Sequence, residues 1–146
     1  MGAAPQLNAS ESGLDFASSF GHSYNPTYPS LVGLQTDNTY NGKLQGVKKE
    51  CLVSLFVNGS LEQEIFGDVL FTNYGVSGFA ILDISQLAIY NLILGQDVKI
   101  AINFFPKINP NDLANQIQTL FKNQGNHRAV DILTGLVSNK IAPVLL

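Results

Sequence analysis

Tryptophan is absent from the 146 residues, and cysteine and methionine occur once each. A single Cys51 excludes an internal disulfide and any multi-cysteine zinc site. Charge is scarce as well: 13% of residues are Asp, Glu, Lys or Arg, against a usual ~25%. Eight Lys+Arg against eleven Asp+Glu leave a formal charge of -3. That balance argues against a nucleic-acid binder, which tracks phosphates with a basic stripe. A surface so poor in charge suits a chain that another element partly covers. There is no GxGxxG and no Walker-type glycine-lysine loop, so no phosphate-cradling motif. HExxH, CxxC and EF-hand spacings are missing too, and His22 and His127 stand alone, so no metal site is expected. The start, Met1-Gly2-Ala3-Ala4-Pro5, lacks the basic and apolar regions of a secretory signal. Gly2 makes no myristoylation signal, because Leu7 follows Gln6. The longest apolar stretch, Val76 to Leu94, is broken by Ser77, Asp83, Ser85, Gln86 and Asn91, and reads as a core helix, not a membrane span. Together these absences predict a cytoplasmic protein with neither nucleic acid nor membrane as partner.

What remains is an ordinary globular stock: 45% of residues are hydrophobic, and a chain this long can bury roughly 68–70% of its extended surface. Residues 1–25 are weakly patterned, with a short helix expected from Ser12 to Phe20, ended by Gly21. Residues 26–75 read as β structure. Ser30 to Thr36 is a strand, and Asp37 to Gly42 has turn chemistry. Cys51, Val53, Leu55 and Val57 alternate with Leu52, Ser54 and Phe56, and Asn58-Gly59 then signals a hairpin. The return strand sets Leu61, Gln63 and Ile65 against Glu62 and Glu64, and a separate strand runs from Asp68 to Asn73. Residues 76–95 form a largely buried helix, with Ser77 as N-cap and Gly95 as terminator. Val98, Ile100, Ile102 and Phe104 mark a last strand stopped by Pro106. Asn109 and Pro110 start a helix whose apolar positions are Leu113, Ile117, Leu120 and Phe121. Gly125 stops it, and Asn126 caps a further helix that turns Val130, Leu133, Leu136 and Val137 inward. Both ends read as cut, because the chain closes on Val144-Leu145-Leu146. An exposed helical patch there would favour self-association. The fold class is therefore α+β: a small β-barrel-like domain with one buried helix, followed by a truncated helical subdomain.

No residue reads as a catalytic acid, base or nucleophile. Cys51 opens an apolar strand, where cysteine behaves as a small hydrophobe. A free-standing enzyme built on Cys51 or His22 lacks any nucleophile–base spacing. The sequons Asn8-Ala9-Ser10 and Asn58-Gly59-Ser60 have no secretory context, and the hairpin explains the second. One segment stands out, Phe71 to Phe79, which joins a strand to the apolar helix. Its candidate site residues are Thr72, Asn73, Tyr74, Gly75, Ser77 and Gly78. Two readings stay open. Ser77 and the amides after Gly78 could receive an anion at a helix N-terminus. Alternatively, Gly75 and Gly78 only permit a tight strand-to-helix corner, with Ser77 as its cap.

The same segment resembles the Phe-Thr-His-Tyr-Gly-Val-Ser-Gly-Pro-Ala signature of the BaiN-like NAD(P)/FAD-dependent oxidoreductases. Tyr28 to Leu34 resembles that family's YPALVPL, Leu44 to Val47 its LQGV, and Val53 to Gly59 its strand and turn. Ala80 to Ser85 continues the signature helix, Ile102 to Pro106 resembles a strand ending in LLP or LFP, and Gly135 to Lys140 resembles GLLPKR. Pro5-Gln6, Gly13, Asp15 and Ala17 resemble a PQTGSTGDGYELA-like run beside the flavin, and Phe20-Gly21-His22 the LGH after it. Asn8, Ser10, Glu11 and Ser12 depart from that run; Asn73 replaces the signature His and Phe79 its Pro. The resemblance implies residues 1–25 as the tail of a parent FAD-binding domain and residues 26–108 as a barrel-like insert with its helix at 77–95. Residues 109–146 would be a partial helical subdomain. It implies FAD in the parent with NAD(P)H as reductant, Gly13 as a cofactor contact in the parent only, and the Thr72–Gly78 corner at the substrate or domain interface. The chain alone would be inactive and bind no cofactor, with its own FAD-binding domain as partner. A non-catalytic protein-binding β-barrel module is the alternative.

Overall fold

The computed structural model describes residues 10–37, 40–123, 125 and 127–146. The expected roles of Pro5, Gln6, Asn8 and Asn126, and part of the 37–42 turn, lie outside them. Five strands form one antiparallel sheet: β1 (Leu34–Gln35), β2 (Lys48–Val57), β3 (Ser60–Phe71), β4 (Gly75–Ser77) and β5 (Val98–Asn103). Their spatial order is β1-β4-β3-β2-β5, curled into a half-barrel. Helix α1 (Ser12–Ser19) precedes the sheet, α2 (Asn41–Leu44) leads into β2, and α3 (Phe79–Ile93) crosses between β4 and β5. Helices α4 (Pro110–Asn123) and α5 (Ala129–Leu133), then a 3-10 turn at Ala142–Val144, complete the chain. No helix among the described residues is long and apolar enough to cross a membrane.

The β2–β3 hairpin is the spine. Asn58 and Gly59 both take positive φ (50° and 83°), as the tight turn joining twisted strands requires. The alternation read in β2 holds: Cys51, Val53, Leu55 and Val57 are buried, with the residues between them half-exposed. Val69 and Phe71 of β3 extend that face, and α3 lays Ala80, Ile81, Ile84 and Ala88 across it. Burying each Leu, Ile or Val side chain contributes about 1.5–3 kcal/mol, so this layer holds the sheet and helix together. Leu133, Val137, Ile141 and Ala142 join the same cluster, which docks the end of the chain onto the barrel.

Several expectations are corrected. The Ser30–Thr36 strand shrinks to Leu34–Gln35, because only these residues find a partner, at Val76 and Gly75. Helix α2 replaces the end of the turn read at Asp37–Gly42. The strands at Leu61–Ile65 and Asp68–Asn73 are one strand, which ends at Phe71. Gly67, which lies between the two expected strands, is where α3 approaches: a Cβ there would sit 3.5 Å from both Cβ and N of Ala80. Helix α3 starts at Phe79 and buries one face only, leaving Phe79, Leu92, Ile93 and Leu94 exposed. Ser85, read as a polar interruption, is fully buried. Its hydroxyl donates to the Leu82 carbonyl (2.7 Å) and accepts from the Val32 amide (3.2 Å), pinning the entry segment to α3.

Candidate functional site

At the corner after β3 the chain closes on itself. The Thr72 amide donates to the Gly75 carbonyl at 2.9 Å, and the Gly75 amide donates back to Thr72 Oγ1 at 3.1 Å. Strand β4 then slots between β3 and β1, with Val76 opposite both Phe71 and Leu34. The two glycines answer to backbone packing. A Cβ on Gly75 would overlap the Leu34 carbonyl oxygen, and one on Gly78 would overlap the Asp68 carbonyl oxygen. Gly78 also takes φ 97°, a region side chains rarely adopt. Its carbonyl accepts from the amides of Ile81 and Leu82, and it, not Ser77, is the N-cap of α3. Ser77 is a strand residue paired with Leu70. The reading of Ser77 as helix cap is thus overturned, because the sheet claims its backbone first.

The corner presents outward what the backbone does not use. Asn73 is exposed, and Tyr74 is half-exposed, with its hydroxyl 3.2 Å from where a Gly33 Cβ would stand. Phe79 is 71% exposed at the first residue of α3. Thr72, Ser77 and Gly78 are half-buried, and Gly75 is buried. Thr72, Asn73, Tyr74, Gly75, Ser77 and Gly78 therefore do come together, as one strand-to-helix corner. Gly13 lies in α1, a helix none of whose residues is buried.

The other candidates lack reactive settings. Cys51 is completely buried in β2, and burial pushes its thiol up to about 11, with Lys49 pulling weakly the other way. A thiol held neutral this far is no nucleophile near neutral pH. His22 and His127 are exposed, and no cluster of three metal-ligating side chains occurs among the described residues. The Arg128 guanidinium bonds the Asp131 carboxylate at 2.9 and 3.2 Å and holds it below the usual carboxylate range, at the exposed start of α5.

Sequence reasoning passed over a groove between the start of β2 and the turn after α5, lined by Gly46–Lys49 and Thr134–Ile141. The signal available was that Leu44–Val47 and Gly135–Lys140 both carry the family resemblance while lying far apart in the chain. Tertiary structure joins them: Lys140 Nζ donates to the Gln45 carbonyl at 2.7 Å.

An open antiparallel half-barrel with a crossing helix and appended short helices is the architecture of a barrel-plus-helix insert domain. Residues 28–146 match the family model described as the HI0933-like protein barrel and H2TH domain, and the chain belongs to that family. The resemblance carried by the Tyr28–Leu34 and Phe71–Phe79 motifs stands with it. Among curated proteins, the 3-dehydro-bile acid delta(4,6)-reductase of Clostridium scindens is 27% identical over 144 residues, 99% of this chain. The chain spans 35% of that reductase's length.

Proposed function

We propose that this chain is the barrel-and-helix insert of a flavin-dependent NAD(P)H oxidoreductase, and that its Thr72–Gly78 corner faces the flavin-binding domain of the same protein. The observation that carries the reading is the alignment: a reductase matches nearly the whole chain with about a third (35%) of its own length. The corner supports it, because Asn73, Tyr74 and Phe79 stand exposed in an ordered, backbone-locked turn. Such a rigid platform suits covering a planar cofactor or shaping one wall of a substrate pocket.

The residues of this chain do not by themselves fit a dinucleotide. The space beside Gly75 and Gly78 is filled by the backbone of Leu34 and Asp68, which leaves no cradle there for phosphates. FAD and NAD(P)H would be held elsewhere in the longer protein, with residues 1–25 leading out of its flavin-binding domain. The role assigned here is to exclude water from one face and to orient a substrate. A hydride-transfer step belongs to no residue of this chain.

The test is a visible absorption spectrum of the longer protein purified beside the 146-residue chain. A yellow longer protein, with Tyr74→Ala shifting its flavin band or slowing its reduction by NAD(P)H, is the expected result. A colourless longer protein that takes up no added FAD overturns the flavin reading. The exposed Phe79 and Tyr74 would then be better explained as the contact surface of a non-catalytic protein-binding module.

A further inference from the structure

We propose that the cleft between the outer side of α3, strand β3 and Tyr28 receives a guanidinium group. Tyr28, Gln63, Asp83, Gln86, Leu87 and Tyr90 line it, around a volume of about 270 Å3. None of the six is buried, so each side chain is reachable from solvent. Gln86, Leu87 and Tyr90 follow Asp83 by three, four and seven positions, which sets all four along one side of α3. Opposite them, Gln63 shares the face of β3 that further along buries Val69 and Phe71. Tyr28 comes from the entry segment, and its ring centre lies 5.8 Å from that of Tyr90 at a tilt of 43°. The Val32 amide, bonded to Ser85 Oγ, holds that segment against the helix.

The chemistry of the lining is one-sided. Five of the six side chains are polar, and none is Lys, Arg or His. Glu50, Asp68, Asp97 and Asp131 each face a Lys or Arg, whereas Asp83 has no ion-pair partner among the described residues. The side chains of Tyr28, Gln63, Gln86 and Tyr90 likewise hydrogen-bond to no described residue. The cleft thus holds an uncompensated carboxylate, two amides and two phenols beside two aromatic rings.

A guanidinium is flat, always charged and rich in donors, with five N–H groups in an arginine side chain. It forks onto a carboxylate, stacks on a tyrosine ring and has donors left for the Gln63 and Gln86 amides. A compact ammonium would use the charge but not the plane, and a sugar would use the plane but not the charge. The volume is below the roughly 300–1,000 Å3 of complete small-molecule sites, so the cleft suits one head group and not a whole cofactor. The inference does not rest on the flavin reading.

Titration of the 146-residue chain with ethylguanidinium at constant ionic strength, followed by residue-resolved NMR, tests it. Shifts are expected at Gln63, Asp83, Gln86 and Tyr90. Asp83→Asn keeps the shape of an exposed side chain and removes its charge; it is expected to weaken binding at least about tenfold with an unchanged melting temperature. Tyr90→Leu is expected to weaken it about twofold to fivefold. Glu62→Gln removes the same charge from β3 outside the cleft and is expected to leave affinity unchanged. Ethylurea, neutral and of similar shape, is expected not to bind. A capped Gly-Arg-Gly peptide distinguishes the sources. Tighter binding than ethylguanidinium assigns the group to an arginine of a protein segment, and equal or weaker binding to a free alkylguanidine. Absence of shifts in the cleft overturns the proposal. Equal affinity for tetramethylammonium or for glucose overturns it too, as does a loss on Glu62→Gln matching that on Asp83→Asn.

Discussion

The sheet with α3 and the helix α4 were both legible as amphipathic elements, yet they reach opposite ends of the burial scale. Cys51, Val53, Leu55, Val69, Ala80, Ile81 and Ile84 are completely inaccessible to solvent. No residue of α4 is buried, although Leu113, Ile117, Leu120 and Phe121 follow helical spacing along one side. An apolar stripe states what a helix can bury; a facing surface decides whether it does. In the sheet, β2 and β3 offer a continuous apolar face, and α3 has five buried residues to set against the barrel. Among the described residues helix α4 packs against the short α5, and the residues after it that reach the core are Leu133, Val137, Ile141 and Ala142.

The contrast can be broken at its strong side first. Leu55→Ala or Ile84→Ala is expected to cost about 2–5 kcal/mol, as truncation of fully buried residues does, read as a lowered urea midpoint. Gly78→Ala is expected to cost about 1–3 kcal/mol or more, since its Cβ would meet the Asp68 carbonyl at an unfavourable φ. A control at Gly42, where a Cβ would meet nothing within 4 Å, is expected to be neutral or slightly stabilising on replacement by Ala.

Cys51 gives a pH signature of the same core. Its thiol titrates at about 11 in the folded chain against an ordinary 9.0. Below the ordinary value both states are protonated and the thiol has no effect on stability. Between the two values the unfolded chain ionises while the native one does not, so stability falls as pH rises. The loss is at most about 2–3 kcal/mol, and Cys51→Ala should remove that slope from the thermal-stability profile. Ser85→Ala is expected to cost about 1–2 kcal/mol, by leaving the part-buried Val32 amide without its side-chain acceptor. The smallest effect belongs to α4: Ile117→Ala is expected to cost under about 1 kcal/mol. Its amides should also exchange with solvent well before those of β2 and β3. A cost at Ile117 equal to that at Ile84 would erase the distinction between the two regions.

Much of the fold was readable from local chemistry. Asn58-Gly59 fixed the hairpin, and the two-residue alternation of β2 fixed which face is inward. Gly95 and Gly125 end α3 and α4 where positive φ was expected. The corner at Thr72–Gly78 was legible as a place where glycines and polar groups gather. Its internal logic was not. Ser77 has the chemistry of an N-cap, but its backbone is taken by Leu70 across the sheet. Gly67 carried no sequence signal, yet it makes room for Ala80 of a helix that begins a dozen residues later.

The sequence by itself determined the elements whose hydrogen bonds close locally: the β2–β3 hairpin, and helices α1, α3 and α4 with most of their ends. It also determined the family, because Tyr28–Leu34, Phe71–Phe79 and Gly135–Lys140 occur in the family's order. Tertiary structure alone decided which apolar stripe finds a partner, which glycine yields to a neighbouring backbone, and that Lys48, Lys49 and Lys140 line one groove. The reason is range. Capping, turn and periodicity signals act over a few residues, whereas Lys140 reaches Gln45 across 95 positions of chain, a separation on which no local pattern bears.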